Sequence, residues 1–258
     1  MFIETHCHLD YLKALPLEEI RKLISEAGIQ KVVTIGVDPL NLDKVQELSQ
    51  NCPEVYYTQG IHPHDAKEAT DVEFNKIRTR GAEPKMVAVG EIGLDYHYNN
   101  SPPEIQKTVF EQQLQIACDL DLPVVIHTRE ADEDTKAILR NFSSKLKRRG
   151  VIHSFTSSLD LAEFVLGEGY YIGFNGIITF KKAENVQEVV KITPTSKILF
   201  ETDSPFLTPV PHRGKENAPY YLPFVAAKIA ELKNVDLEKL KAEVYQNSFS
   251  CFSKLANS

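Results

Sequence analysis

Paired cysteines are missing from this chain. Cys7, Cys52, Cys118 and Cys251 lie far apart with no CxxC spacing, which excludes a disulfide-stapled scaffold and a zinc-finger site and predicts reduced thiols. No apolar run approaches the roughly 20 residues needed to cross a bilayer. Strand-like sequence begins at Phe2, which leaves no room for a signal or transit peptide, so a cytosolic protein is expected. Positive charge is also short. With 29 Lys+Arg against 36 Asp+Glu the net charge is -7, so a polyanion must be held by a local patch, not by the surface as a whole. Low-complexity tracts and Gly/Ser linkers are absent, and residues 1–258 read as one domain. No long heptad seam is present, which makes a monomer the expectation.

What is present is alternation. Short runs rich in Val, Ile, Phe and Tyr recur as FIETH, KVVTIGV, VYYTQGI, MVAVGEIGL, PVVIH, GVIHSF, YYIGFNG and ILFETD, each reading as a strand. Helical spacing fits Leu17 to Ala27, Leu42 to Leu48, Asp132 to Leu146, Asp160 to Gly167 and Glu184 to Lys191, with two more helices between Tyr220 and Leu255. Ser101-Pro102-Pro103-Glu104 combines an N-cap serine, a first-turn proline and a capping-box glutamate ahead of a helix to Leu120. Repeated β-then-α units at this length predict an α/β fold, a (β/α)8 TIM barrel, in preference to an open doubly wound sheet with its early Gly-rich phosphate loop.

Polar residues fall at one end of these strands. His6 and His8 close the first, Glu91 lies near the end of the fourth, His127 closes the fifth, His153 lies near the end of the sixth, and Asp203 closes the eighth. In a barrel those C-terminal ends converge on one face, where active sites are built. A lone histidine closing an apolar strand is more often a hydrogen-bonded structural residue. Four histidines and two carboxylates at the same end would be costly to bury without compensation, and a metal site supplies it.

Imidazole and carboxylate ligands without thiolate suit zinc, manganese, cobalt or iron, and magnesium where oxygen ligands dominate. Residues two apart on a strand share a face, so His6 and His8 can hold one ion, joined by Asp203 across the barrel closure. His127 and His153 can hold a second, with Glu91 as the bridge between ions about 3.5–4 Å apart. Water between two such ions is acidified toward hydroxide at neutral pH, and Asp203 could orient it or take its proton. Cys7, between the two histidines, should turn out toward the helices as a small apolar residue.

The loops on this face are locally basic. His62, His64, Arg129, Lys181, Lys182, His212, Arg213 and Lys215 all follow strand ends, where such donors can contact phosphate. The KLKRRG run from Lys145 to Gly150 precedes the sixth strand and is read as a solvated helix end on the opposite face. Tyr96, Tyr98, Phe155, Phe174 and Phe180 lie at or beyond strand ends and could stack on bases or plug gaps under the helices.

THCHLD, GIHPHDA, VGEIGLDYHY, LPVVIHTREADED, GVIHSF, ILFETDSPFL and PHRGKENAP, in this order, resemble the motifs of the TatD family of metal-dependent deoxyribonucleases, a branch of the amidohydrolase superfamily. The resemblance runs the whole length, and Asn247 sits where the family's last helix usually has an asparagine. It implies that His6 and His8 ligate one ion, that His127 and His153 ligate another, that Glu91 bridges, and that Asp203 is a metal-bound acid/base. It further implies hydrolysis of DNA, often 3′ to 5′ on single-stranded or damaged strands, with magnesium or manganese supporting activity and zinc as a third candidate. Some relatives hold a third ion near the substrate phosphate, for which His62 and Glu201 are the positions here. Glu4 departs from the family's usual aspartate, and should point inward one layer below His6 and His8.

Two other functions fit parts of the pattern. The first is hydrolysis of a small cyclic amide, lactone or phosphoester, which relatives commonly perform with a carboxylated lysine bridge; here Glu91 takes that position, and Lys85 lies at the wrong end of its strand. The second is a non-catalytic metal-binding scaffold, against which every expected ligand position is filled.

Overall fold

The computed structural model describes residues 1–98 and 100–256. Its strands are β1 (Phe2–Cys7), β2 (Ile29–Thr34), β3 (Val55–Gln59), β4 (Met86–Asp95), β5 (Val124–Arg129), β6 (Gly150–Ile152), β7 (Tyr171–Phe174) and β8 (Ile198–Phe200). They form one parallel 8-stranded sheet in sequential order, the arrangement that β-helix-β crossovers of one hand produce. Closure from β8 back to β1 runs through the segment after β8. The Asp203 N–H donates to the His6 carbonyl at 2.9 Å and the His8 N–H to the Ser204 carbonyl at 2.8 Å, while the Thr5 hydroxyl donates to the Phe200 carbonyl at 2.8 Å. These bonds hold His6, His8 and Asp203 side by side.

The helices are α1 (Leu17–Glu26), α2 (Leu42–Asn51), α3 (Asp71–Arg80), α4 (Pro103–Leu120), α5 (Asp132–Phe142), α6 (Leu159–Gly167), α7 (Glu184–Ile192), α8 (Leu222–Lys233) and α9 (Leu237–Cys251). Three differ from the sequence expectation. Helix α3 was not anticipated, since it buries only Phe74 and Ile77 and has little apolar periodicity. Its signal was at the end: Thr70 and Glu73 form a reciprocal capping box. The capping box expected at Ser101 does not form. Pro102 stands at the N-cap, and the Ser101 hydroxyl instead donates to the His64 carbonyl at 2.8 Å and accepts from the Lys67 N–H at 3.1 Å. Helix α5 stops at Phe142, where the Ser143 N–H turns back onto the Arg140 carbonyl at 3.2 Å. The chain then tucks Leu146 into the core before entering β6.

Two apolar clusters frame the barrel. The larger packs strand residues such as Val32, Tyr57, Val89 and Ile126 against Ile20, Ile24, Leu114 and Val225 of the helices, and Cys7 belongs to it. Cys7 therefore lies outside the barrel, as alternation requires. The smaller joins Ile3, Val33, Tyr56, Val87, Val125, Val151 and Leu199 to Phe252 and Leu255 of the C-terminal segment. The Lys145–Arg149 run lies outside the mouth. Arg148 bonds Asp121 and Ser253, and Arg149 bonds the Glu168 carbonyl, so these arginines tether the base of the barrel and are not merely solvated.

Candidate metal centre

Seven of the predicted residues meet at the C-terminal mouth. His6 Nε2 lies 3.6 Å from Asp203 Oδ1 and 3.4 Å from Glu91 Oε2, and His8 Nε2 lies 3.5 Å from the same Asp203 oxygen. The other Glu91 oxygen, Oε1, faces a different set: His153 Nε2 at 2.7 Å, His127 Nδ1 at 3.1 Å and His62 Nε2 at 3.4 Å. The two oxygens of one buried carboxylate thus point into two nests of imidazole. His6 and His153 stack with ring centroids 3.8 Å apart between them.

Local backbone sets these positions. Glu91 lies inside β4, which is buried along its entire length. Asp203 adopts φ 56, a conformation that costs a non-glycine residue about 1 kcal/mol or more and that persists where neighbouring bonds enforce it. Here the bonds are those of its N–H to His6 and of its carbonyl to the Phe206 N–H at 2.9 Å. Glu4 is fully buried, as expected for an inward residue, and its Oε1 accepts from the His6 N–H and the Thr202 N–H, each at 3.0 Å. It braces the backbone of both first-cluster elements without reaching the imidazoles, and the β1–β2 register slips between Glu4 and Cys7.

The charges are mutually dependent. Burial alone would raise the Glu91 carboxyl, yet the charges of His153 and His62 and the bond from His127 hold it well below the ordinary range. Asp203 is also lowered, against its burial, by the His8 hydrogen bond and by neighbouring imidazoles. Burial and the adjacent His153 push His6 down, and burial pushes His62 down to about 4. His8, His127 and His153 are instead held up, against their burial, by Asp203, by Asp95 with Glu91, and by Glu91 with Glu201 in turn, so a metal ion taking these imidazoles as ligands would displace their protons.

The donor set passes a further test. Among the described residues, both His6 ring nitrogens, His8 Nδ1, His153 Nδ1, Glu4 Oε2 and Glu201 Oε2 are buried without a hydrogen-bond partner. Each such atom costs on the order of 1–3 kcal/mol unless a ligand satisfies it. His6, His8 and Asp203 offer ligand atoms close enough to share one ion, and so do His62, Glu91 and His127, and His6, His153 and Glu201. His62 and Glu201 fall in different groups. Glu201 lies beneath the mouth, where its Oε1 accepts from the Ser154 N–H at 2.6 Å.

Sequence reasoning missed Asp95. Its Oδ2 lies 3.1 Å from His127 Nε2 and 3.0 Å from His64 Nε2, while Oδ1 accepts from the His97 and Tyr98 N–H groups at 3.0 and 3.1 Å. A carboxylate on the far nitrogen of a ligand histidine fixes its tautomer and orientation. The signal was legible, because Asp95 closes the same strand that carries Glu91. Gly173 was missed too: a Cβ there would lie 2.1 Å from Glu201 Oε2, so the glycine makes room for that buried carboxylate.

A cavity of about 690 Å³ opens over the cluster, lined among others by Tyr11, His64, Tyr98, Arg129, Phe206 and Leu207. The predicted basic rim is only partly there. Arg129 lines the cavity, whereas Lys181, Lys182, Arg213 and Lys215 are exposed beyond it, with the Arg213 guanidinium 3.8 Å from the Phe180 ring centroid. Of the predicted aromatics, Phe155 and Phe174 are buried plugs and only Tyr98 faces the cavity. Lys85 lies at the opposite end of β4, donating to the Cys52 and Pro53 carbonyls at 2.9 and 3.1 Å, so it takes no part in the cluster.

Comparison with known proteins shows the family. The sequence profile described as TatD related DNase matches residues 3–253. The chain belongs to that family. As a TatD-family member it is a metal-dependent hydrolase with an amidohydrolase-like barrel. It is 37% identical over 253 residues to the uncharacterized metal-dependent hydrolase YabD of Bacillus subtilis (strain 168), covering 98% of this chain and 99% of that one. It is 34% identical over 242 residues to the 3′-5′ ssDNA/RNA exonuclease TatD of Erwinia tasmaniensis, covering 92% and 93%. The crystal structure of YJJV, a TatD homologue from Escherichia coli K12, superposes with a TM-score of 0.91 at 30% identity over 98% of both chains.

Proposed function

We propose that this protein is a divalent-metal-dependent exonuclease that hydrolyses phosphodiester bonds of single-stranded DNA from the 3′ end. The observation that carries the reading is the split of Glu91, one oxygen toward His6 and the other toward His62, His127 and His153. In this reading His6, His8 and Asp203 would hold one ion and His127 and His153 a second, Glu91 would serve both, and residues 1–258 act as one domain. Divalent ions bound there would acidify water and neutralise charge on the phosphodiester. The chain's own residues do the rest. Asp203, gripped through its backbone and shared by His6 and His8, takes the proton of the attacking water. Asp95 holds the His127 ring in place, and Arg129 at the cavity wall contacts a flanking phosphate. The half-buried His64, on Asp95, and His62 stand where a further phosphate contact or ion would sit; Glu201 supports His153 from below. Supporting the substrate class are the family's name and the Erwinia relative's printed activity. The Glu91 bridge, in place of lysine, argues against the lactone or cyclic-amide alternative.

The test is cleavage of 3′-labelled and 5′-labelled single-stranded oligonucleotides by metal-stripped protein resupplied with magnesium, manganese or zinc. Stepwise loss of the 3′ label, dependent on added ion, is expected. Inert oligonucleotides beside turnover of a lactone or cyclic amide would overturn the reading.

A further inference from the structure

Phe206 is out of place for an apolar residue. It is 51% exposed, yet it lines the cavity above the imidazole–carboxylate cluster. Its ring meets that of His8 edge-on, centroids 6.1 Å apart, and this is its one ring contact among the described residues. The other cavity aromatics are engaged. Tyr11 stacks on His8 with centroids 5.3 Å apart and donates its hydroxyl to Asp38 at 3.0 Å, and the Tyr98 ring carries the Arg129 guanidinium at 4.9 Å.

The Phe206 backbone is held at both ends. Its N–H donates to the Asp203 carbonyl at 2.9 Å, and its carbonyl accepts from Asn217 Nδ2. Asn217 is fully buried, and the same amide group donates to the Thr202 carbonyl at 2.9 Å. The turn that positions the Asp203 carboxylate therefore also places the backbone of Phe206 beside it. An exposed ring on a backbone held at both ends, next to a charged floor, gains little from the fold itself, but it offers a planar partner a stacking surface.

We infer that Phe206 is a base-stacking subsite: its ring takes a nucleobase next to the scissile phosphodiester and so registers the strand against Asp203. Any base presents a π-face, so the subsite reads the presence of a base and not its identity. This rests on the nuclease reading above.

The experiment compares wild type, Phe206→Tyr and Phe206→Ala on two single-stranded oligonucleotides with manganese. One is ordinary; the other carries tetrahydrofuran abasic residues on both sides of the 3′-terminal phosphodiester. On the ordinary strand Phe206→Ala should raise KM about tenfold, or about 1.4 kcal/mol, with kcat within about twofold, and Phe206→Tyr should behave as wild type. On the abasic strand wild type should already show the raised KM, and Phe206→Ala should add nothing. An unchanged KM in Phe206→Ala, or an equal loss on both strands, overturns the subsite while leaving the nuclease standing. If wild type cuts neither strand, the nuclease reading fails and takes the subsite with it.

Discussion

The two ends of this barrel treat buried polar groups in opposite ways. At the base, polar side chains are saturated by protein: Lys254 donates to the Gly81 and Glu83 carbonyls at 2.7 and 2.9 Å, Arg21 pairs with Glu54 at 2.6 Å, and the Asn247 amide ties α9 to the Thr195 and Ile198 carbonyls at 2.8 and 3.0 Å. At the mouth, among the described residues, both ring nitrogens of His6 and one each of His8 and His153 are buried without a hydrogen-bond partner, and so are one oxygen each of Glu4 and Glu201 in the layer beneath. The base is built for stability. The mouth accepts a local cost because groups from outside the chain complete it.

The largest effect should come from the mouth. Asp203→Asn should lower phosphodiester cleavage by about 10³-fold, in the range expected for loss of a proton acceptor, with circular dichroism unchanged; activity near wild type after metal stripping and resupply would remove Asp203 from the chemistry. Glu91→Ala should leave the protein short of bound metal by elemental analysis, since both nests lose a shared ligand, and full occupancy of both would rule out a bridge.

The base should show the reverse pattern. Lys85→Met deletes charged hydrogen bonds to the carbonyls of Cys52 and Pro53 just after α2, leaving the Cys52 carbonyl with only its bond from the Val55 N–H. It should cost about 1–3 kcal/mol in urea unfolding with kcat unchanged per folded molecule; a loss of kcat at full stability would break the contrast.

The smallest effect is acid sensitivity at the base. The Glu54 carboxyl, although partly buried, is held below its ordinary value of 4.5 by the bond to Arg21. A depressed folded-state value contributes stability that is present above 4.5 and is lost as pH falls through the folded-state value. Glu54→Gln should therefore be less stable by up to about 1 kcal/mol near neutrality, and the difference should shrink below pH 4. A constant difference across that range would show that packing, and not charge, is what Glu54 contributes.

How legible each end was follows from the same contrast. The ligands were readable because imidazole and carboxylate interrupt or closely follow strands that are otherwise apolar, as His127 does in PVVIH and Asp203 does after ILF. Phe206 and Gly173 carry no such signal: an aromatic in a loop and a glycine in a strand are common, and only their neighbours in space reveal them. Helix α3 escaped because its apolar face is thin, and Ser101 misled because a serine before two prolines bonds as readily to a distant loop as to its own helix.

The most direct test of the central claim is a calorimetric titration of the metal-stripped protein with Mn²⁺. The unsatisfied mouth should take up two ions in wild type and lose at least one in Glu91→Ala. No uptake, or the same uptake in both, would contradict the account.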